Sequence, residues 1–320
     1  MALNQSRGAG PQVVALAGGV GGAKLAHGLA RILPPGHLTV VVNVGDDFER
    51  YGLHISPDLD TVMYTLAEIA NPSTGWGLVD ESWQALTMMA QYGEDTWFRL
   101  GDRDLATHLL RTDALRSGQR LTEITARLAH KLGVAHTILP ASDEPMATMV
   151  HTREKGILPF QQYFVKYRWQ PTVIDLQYEG GDRAQVSGEV RAAVAAADLL
   201  VICPSNPLLS VAPILAVAGL RELIEQRQMS CIAVSPLIGG KAVKGPTAKL
   251  MREMGHEPSV LGIARFYNGL IDVLVVDSED QQAIGQVLSQ FPALSIFEMP
   301  ILMKTVADRE SVAQRIVDLI

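Results

Sequence analysis

Several short stretches of this 320-residue chain carry residue types suited to binding a phosphate or a divalent cation, and each follows an apolar run. The first is Gly18-Gly19-Val20-Gly21-Gly22-Ala23-Lys24, leading into a helix expected to begin near Ala23. Glycines let a backbone approach a phosphate closely, and amides at a helix start favour negative charge. An anion is expected here, although a tight strand-to-helix turn would use the same residues. The stretch is not a Walker loop, which needs Gly-Lys-Ser/Thr where Ala23-Lys24-Leu25 stands. Nor is it a dinucleotide fingerprint, which needs glycine at Lys24.

The second group is acidic: Asn43-Val44-Gly45-Asp46-Asp47, then Ser56-Pro57-Asp58-Leu59-Asp60-Thr61. Ser56 suits a helix cap, Pro57 the first helical position and Asp58 the acid-favouring first turn. Asp58 is thereby accounted for without a function, leaving Asp46, Asp47 and Asp60 as surplus acid. Carboxylates converging beside a phosphate loop would suit Mg²⁺, which takes one or two of them with waters and phosphate oxygens. Plain solvated acids are the alternative.

A third stretch, Arg99-Leu100-Gly101-Asp102-Arg103-Asp104, offers guanidinium forks that match an anion better than lysine does, or else a surface ion-pair network. His108 is read as a hydrogen-bonded helix residue. Further on, Pro204-Ser205-Asn206-Pro207 and Ser235 to Pro246, the latter with Lys241 and Lys244, add hydroxyl, amide and cationic donors. Pro-bounded turns would also explain the first of these.

The elements that must position these loops are short apolar runs: Val13 to Leu16, Leu38 to Val42, Leu199 to Ile202, Ile232 to Val234 and Val273 to Val276. Continuous apolar strands separated by helical patterns predict a parallel sheet covered on both faces, hence a doubly wound, mostly parallel, Rossmann-like α/β fold. Such sheets bind ligands beyond the carboxyl ends of their strands, where all of these loops fall. The pattern changes between 71 and 188, which is expected to be a mainly helical insertion covering the cleft, with a small extended element near 160–178. Residues 12–70 and 189–320 form the expected nucleotide-binding core, and 1–11 a flexible leader. The aromatic stretch Phe160 to Trp169 is read as core more readily than as a stacking platform.

With 27 basic against 34 acidic residues the net charge is −7, which argues against a nucleic-acid-coating protein. At 48% hydrophobic and 19% charged residues, the chain can bury a large core. Cys203 and Cys231 lie in apolar runs without metal-ligand spacing and are expected to be core thiols. No stretch reaches the roughly 20 clean apolar residues of a membrane span, and no secretory signal opens the chain, so a soluble cytoplasmic protein is expected.

Taken in order, Gly18-Gly19-Val20-Gly21-Gly22, Asn43-Val44-Gly45-Asp46-Asp47, Ser56-Pro57-Asp58-Leu59-Asp60-Thr61, Leu100-Gly101-Asp102-Arg103-Asp104, Pro204-Ser205-Asn206-Pro207 and Ser235-Pro236-Leu237-Ile238-Gly239 resemble the 2-phospho-L-lactate transferase family of coenzyme F420 biosynthesis. The resemblance runs from Gln12 onward. It implies transfer of a phospholactyl or phosphoenolpyruvyl group from a guanosine diphosphate conjugate to the deazaflavin FO, releasing GMP and requiring Mg²⁺. It also implies a homodimer, while the net charge and the lack of a long clean apolar stretch lead to no expected nucleic-acid or membrane partner. By that resemblance Asp46 and Asp60 hold the metal and are catalytic, Asp60, Arg99 and Arg103 contact FO, and Gly18, Gly19, Val20, Gly21, Gly22, Lys24, Ser205, Asn206 and Pro207 lie on the nucleotide side. Lys24 stands where some relatives carry arginine, and Arg99 where others carry lysine or a neutral residue. The alternative is a non-catalytic, nucleotide-sugar-binding regulatory protein of the same superfamily. Those relatives usually carry a Gly-Ser-Ser-Gly run where this chain has Phe48-Glu49-Arg50-Tyr51-Gly52, which favours the enzyme.

Overall fold

In the computed structural model, residues 10–320 are described; the expected leader falls almost wholly outside them. Seven parallel strands form the central sheet: β1 (Val13–Ala17), β2 (Leu38–Val42), β3 (Thr137–Pro140), β4 (Leu199–Ile202), β5 (Ser230–Val234), β6 (Val273–Val276) and β7 (Ser295–Glu298). Their spatial order is β7-β6-β5-β4-β1-β2-β3. All five apolar runs picked out in the sequence lie in this sheet. Every residue of β1 and β4 is buried, as strands covered on both faces require. The doubly wound α/β expectation holds.

The span 71–188 is less of a separate insertion than expected, because it supplies the edge strand β3. Only four residues long, β3 pairs in register with Thr39 to Val42. The rest of the span includes a helix at Asp102–Arg116 and a three-stranded antiparallel sheet, with Ala147–Thr152 between Gly156–Pro159 and Val173–Glu179. The extended element expected near 160–178 is therefore confined to 173 onward; Phe160 and Tyr163 are buried, as core aromatics.

Chain order reverses between β1 and β4, which leaves a crevice at their carboxyl ends. Helix α1 (Gly19–Ile32) starts there and packs between α2 (Pro57–Leu66) and the C-terminal helix α3 (Val306–Val317). At Gly28 the backbones of α1 and α3 approach so closely that a Cβ would overlap the Arg309 carbonyl. Cys203 and Cys231 are free and fully buried, and burial pushes both thiols up, Cys231 to about 12. Among the described residues, no helix is long and apolar enough to cross a membrane.

Candidate functional site

The glycine stretch differs in one respect from its sequence reading: α1 begins at Gly19, not near Ala23, so the glycines themselves form its first turn. Gly19 has φ +62, a left-handed conformation that favours glycine, and open space around it. Gly18, Gly21 and Gly22 are small for another reason. A Cβ on Gly18 would lie 2.6 Å from Asp58 Oδ2 and 2.7 Å from Ser210 Cβ, and one on Gly21 would lie 2.5 Å from the Pro204 carbonyl. The turn is thus seated on the loop after β4. Ser205 fastens it, accepting from the Gly18 N–H at 3.1 Å and donating to the Gly18 carbonyl at 2.9 Å. With the Gly19 amide donated to Asp58, helix geometry leaves the Val20 and Gly21 amides for an incoming anion.

Ser205 and Asn206 therefore act first on the protein. The Asn206 side chain accepts from the Leu208 and Leu209 amides and donates to Thr247 Oγ1, capping the short helical turn that buried Pro207 opens. Lys24 donates to the Met303 carbonyl at 2.8 Å.

The acids sort into two clusters. In the first, Asn43 at the end of β2 donates to Asp58 Oδ2 at 3.0 Å and accepts from the Gly45 amide at 2.8 Å, folding the loop that carries Asp46 and Asp47 back toward α2. The loop is backed by the antiparallel sheet, the Thr148 amide donating to the Gly45 carbonyl at 2.7 Å. Asp46 and Asp58 are only 6% and 5% exposed. Burial, with Asp58 nearby, raises the Asp46 carboxyl well above its ordinary range; burial raises Asp58 to about 6 despite hydrogen bonds from Asn43 and the Gly19 amide. Asp47 is raised by burial too, while one of its oxygens accepts from Ser56 Oγ at 2.7 Å and lies 3.1 Å from His54 Nε2. Asp46 Oδ1 and Asp47 Oδ1 are buried without a hydrogen-bond partner among the described residues. Neighbouring carboxylates with unpartnered oxygens, raised by desolvation and mutual repulsion, fit a divalent cation.

Asp60, expected to share a metal with Asp46, belongs to the second cluster. Both its oxygens are held by the Arg111 guanidinium, one at 3.0 Å. His108 lies between carboxylates, Nδ1 at 3.6 Å from Asp60 and Nε2 at 3.2 Å from Asp104. Burial alone would raise Asp104, but His108, Tyr64 and Arg111 outweigh it and hold the carboxyl down. Ligand atoms of Asp60, Asp104 and His108 fall within 4.8 Å of one another. A cation there would have to displace Arg111, whereas Asp46 Oδ1 and Asp47 Oδ1 in the first cluster could take one without breaking an ion pair. Sequence reasoning had set Asp58 aside because its place in the first turn of α2 already explained it, and had no signal for Arg111, which sits deep in a helix far along the chain.

Arg99 stacks 4.1 Å over the Trp83 ring and lines a small cavity of about 40 Å³ with Trp76, Glu81 and Asp104. The Arg103 guanidinium donates to the Val79 carbonyl at 2.6 Å, and its amide to Glu81 at 2.7 Å. Beside Asp47, Phe48 packs edge-on against Phe98 at 4.8 Å and stacks on Trp97 at 6.4 Å, giving the acid cluster an aromatic flank.

The sequence profile of 2-phospho-L-lactate transferase CofD matches residues 13–291. A 2-phospho-L-lactate transferase of Methanosarcina acetivorans is 40% identical over 269 residues, 84% of this chain and 87% of its own. A phosphoenolpyruvate transferase of Streptomyces griseus is 36% identical over 313 residues, 96% of this chain and 98% of its own. Among solved structures, a UPF0052 family protein from Bacillus halodurans aligns with a TM-score of 0.63 over 97% of this chain and all of its own, at 16% identity, a likeness of fold.

Proposed function

This chain belongs to the 2-phospho-L-lactate transferase family, whose members place it among enzymes of the phosphotransferase kind, and from that premise we propose that it moves a 2-phospholactyl or phosphoenolpyruvyl group from a guanosine diphosphate conjugate to the deazaflavin FO. The observation that carries this reading is the buried Asp58 carboxylate set against the glycine turn at the amide end of α1, with the loop of buried Asp46 tied to it through Asn43, in the crevice between β1 and β4.

Displacement at phosphorus depends on positioning and charge neutralisation more than on covalent help. A terminal hydroxyl of FO attacks the phosphorus distal to guanosine; the new O–P bond forms as the bond to GMP breaks, and GMP leaves. The Val20 and Gly21 amides orient the diphosphate. Asp46 and Asp58 are the residues that would hold Mg²⁺, which when bound supplies positive charge to the diphosphate oxygens. Asp47, fixed through one oxygen by Ser56 and His54, takes the hydroxyl proton on its unpartnered Oδ1, a role its raised pKa favours. The flat acceptor enters along Phe48, Trp97 and Phe98, with Arg99 next in the chain. Asp60 acts from behind, as one half of the Arg111 brace, and not as a metal ligand.

The test is incubation of the purified protein with FO, Mg²⁺ and each guanylated acid in turn, following GMP release and product mass. Transfer with the phospholactyl or phosphoenolpyruvyl donor supports the reading, and GMP release with none of them removes it.

A further inference from the structure

The outer face of α1 gathers three cations from separate parts of the chain. Val20 and Lys24 stand about one turn apart and share a face. A Cβ built on Gly75 would lie 2.7 Å from Val20 Cγ1 and 3.3 Å from Lys244 Nζ, so Lys244 reaches over the same end of the helix. Arg309 comes in from α3 a turn further along, its Nη1 3.4 Å from His27 Nδ1. Lys24 donates to the Met303 carbonyl, and Lys244 to the Thr74 carbonyl at 2.6 Å. An ammonium has three donors, so each keeps two, and a neutral carbonyl cancels no charge. Arg309 Nε is buried with no hydrogen-bond partner among the described residues.

The acids within electrostatic range are committed elsewhere. Asp308 accepts from the Lys304 and Thr305 amides at the start of α3. Glu68 lies 3.2 Å from both His27 Nε2 and Arg31 Nη1.

We propose that Lys24, Lys244 and Arg309 form an anion subsite that holds a second phosphoryl group of a ligand whose first phosphate rests on the α1 amides. This joins Lys24 and Lys244, both singled out in the sequence as donors for an anion, to Arg309, which no sequence motif included. Partial desolvation lowers all three side chains, Lys244 the most exposed of them, from their ordinary pKa values, and Arg309 and Lys244 lower Lys24 further, so an anion placed among them relieves both desolvation and repulsion. The ligand's identity as a guanylated donor rests on the function proposed above; its chemistry as a diphosphate does not.

The experiment titrates the full-length protein with inorganic pyrophosphate and with orthophosphate by calorimetry, in the wild type and in Lys24→Gln, Lys244→Gln and Arg309→Gln. Pyrophosphate is expected to bind more tightly than orthophosphate, and each substitution to raise its Kd about tenfold through the loss of one charge-assisted hydrogen bond. Lys244 is exposed, so its variant tests the subsite with the fold intact. Equal binding of the two anions, or a Lys244→Gln Kd within twofold of wild type, overturns the subsite. GMP release assayed separately keeps the two readings apart. Pyrophosphate binding that depends on the three cations, without any transfer to FO, sinks the function and leaves the subsite standing. Transfer with an unchanged donor KM in all three variants does the reverse.

Discussion

Arg111 is 1% exposed and grips both carboxylate oxygens of Asp60, a residue 51 positions earlier in the chain. Breaking a buried pair by removing one partner strands a charge at a cost of about 3–5 kcal/mol. Arg111→Met and Asp60→Asn are each expected to lose stability of that order in chemical denaturation, and the double variant to recover much of it. Equal losses in the single and double variants would show that the two residues do not act as a pair. Lost activity in Asp60→Asn alone is therefore no measure of metal binding.

Asp58, by contrast, is expected to be required for turnover. Asp58→Asn should remain folded, because an amide replaces a carboxylate that burial already penalises, yet should lose at least about 100-fold in transfer rate, in line with removal of one charge-stabilising group. Added Mg²⁺ should raise the melting temperature of the wild type and leave that of the variant unmoved. A variant that is fully active, or is still stabilised by Mg²⁺, contradicts the assignment of Asp58 as a ligand.

The same residue sets a pH dependence. Its folded pKa, about 6, stands above its ordinary value of 3.8. The uncharged form is the one the fold prefers, so this contribution to stability is complete below the unfolded value and is lost as pH rises through about 6. Asp46 is shifted in the same direction. In a chelator, the melting temperature should fall by a few degrees between pH 5 and pH 7, and Mg²⁺ should offset the fall. A melting temperature that climbs across this window in chelator would falsify the shift.

The glycine turn offers a contrast between neighbours. In Gly18→Ala the new methyl meets Asp58 Oδ2 and Ser210, so loss of Mg²⁺-linked stabilisation is expected as Asp58 is displaced. In Gly19→Ala there is room, but the left-handed backbone costs about 1–2 kcal/mol. Denaturation curves of the two variants, with and without Mg²⁺, separate a steric effect on the acid cluster from plain backbone strain.

Ser205→Ala removes the hydroxyl that both accepts from and donates to Gly18. An unsatisfied buried amide costs about 1–3 kcal/mol. A loss of that size in denaturant, larger than the change in affinity for GMP, is expected if Ser205 fastens the turn; affinity lost with stability unchanged would instead make it a direct nucleotide contact.

The order of residues alone reveals the parallel sheet and the loops at its carboxyl edge, because uninterrupted apolar runs such as Val13 to Leu16 and Leu199 to Ile202 have no stable place except between two covering layers. It did not reveal β3, whose Thr137–Pro140 is too short to carry a pattern and earns its place by pairing with β2. Local rules also sorted the acids incompletely: Asp58 satisfied a helix-start preference and so looked explained, while the hold of Arg111 on Asp60 had no local signal. Which carboxylate meets Asp46 depends on how α2 lies against the glycine turn and on a guanidinium arriving from residue 111. Those contacts join residues far apart in the chain, so only tertiary packing could decide them.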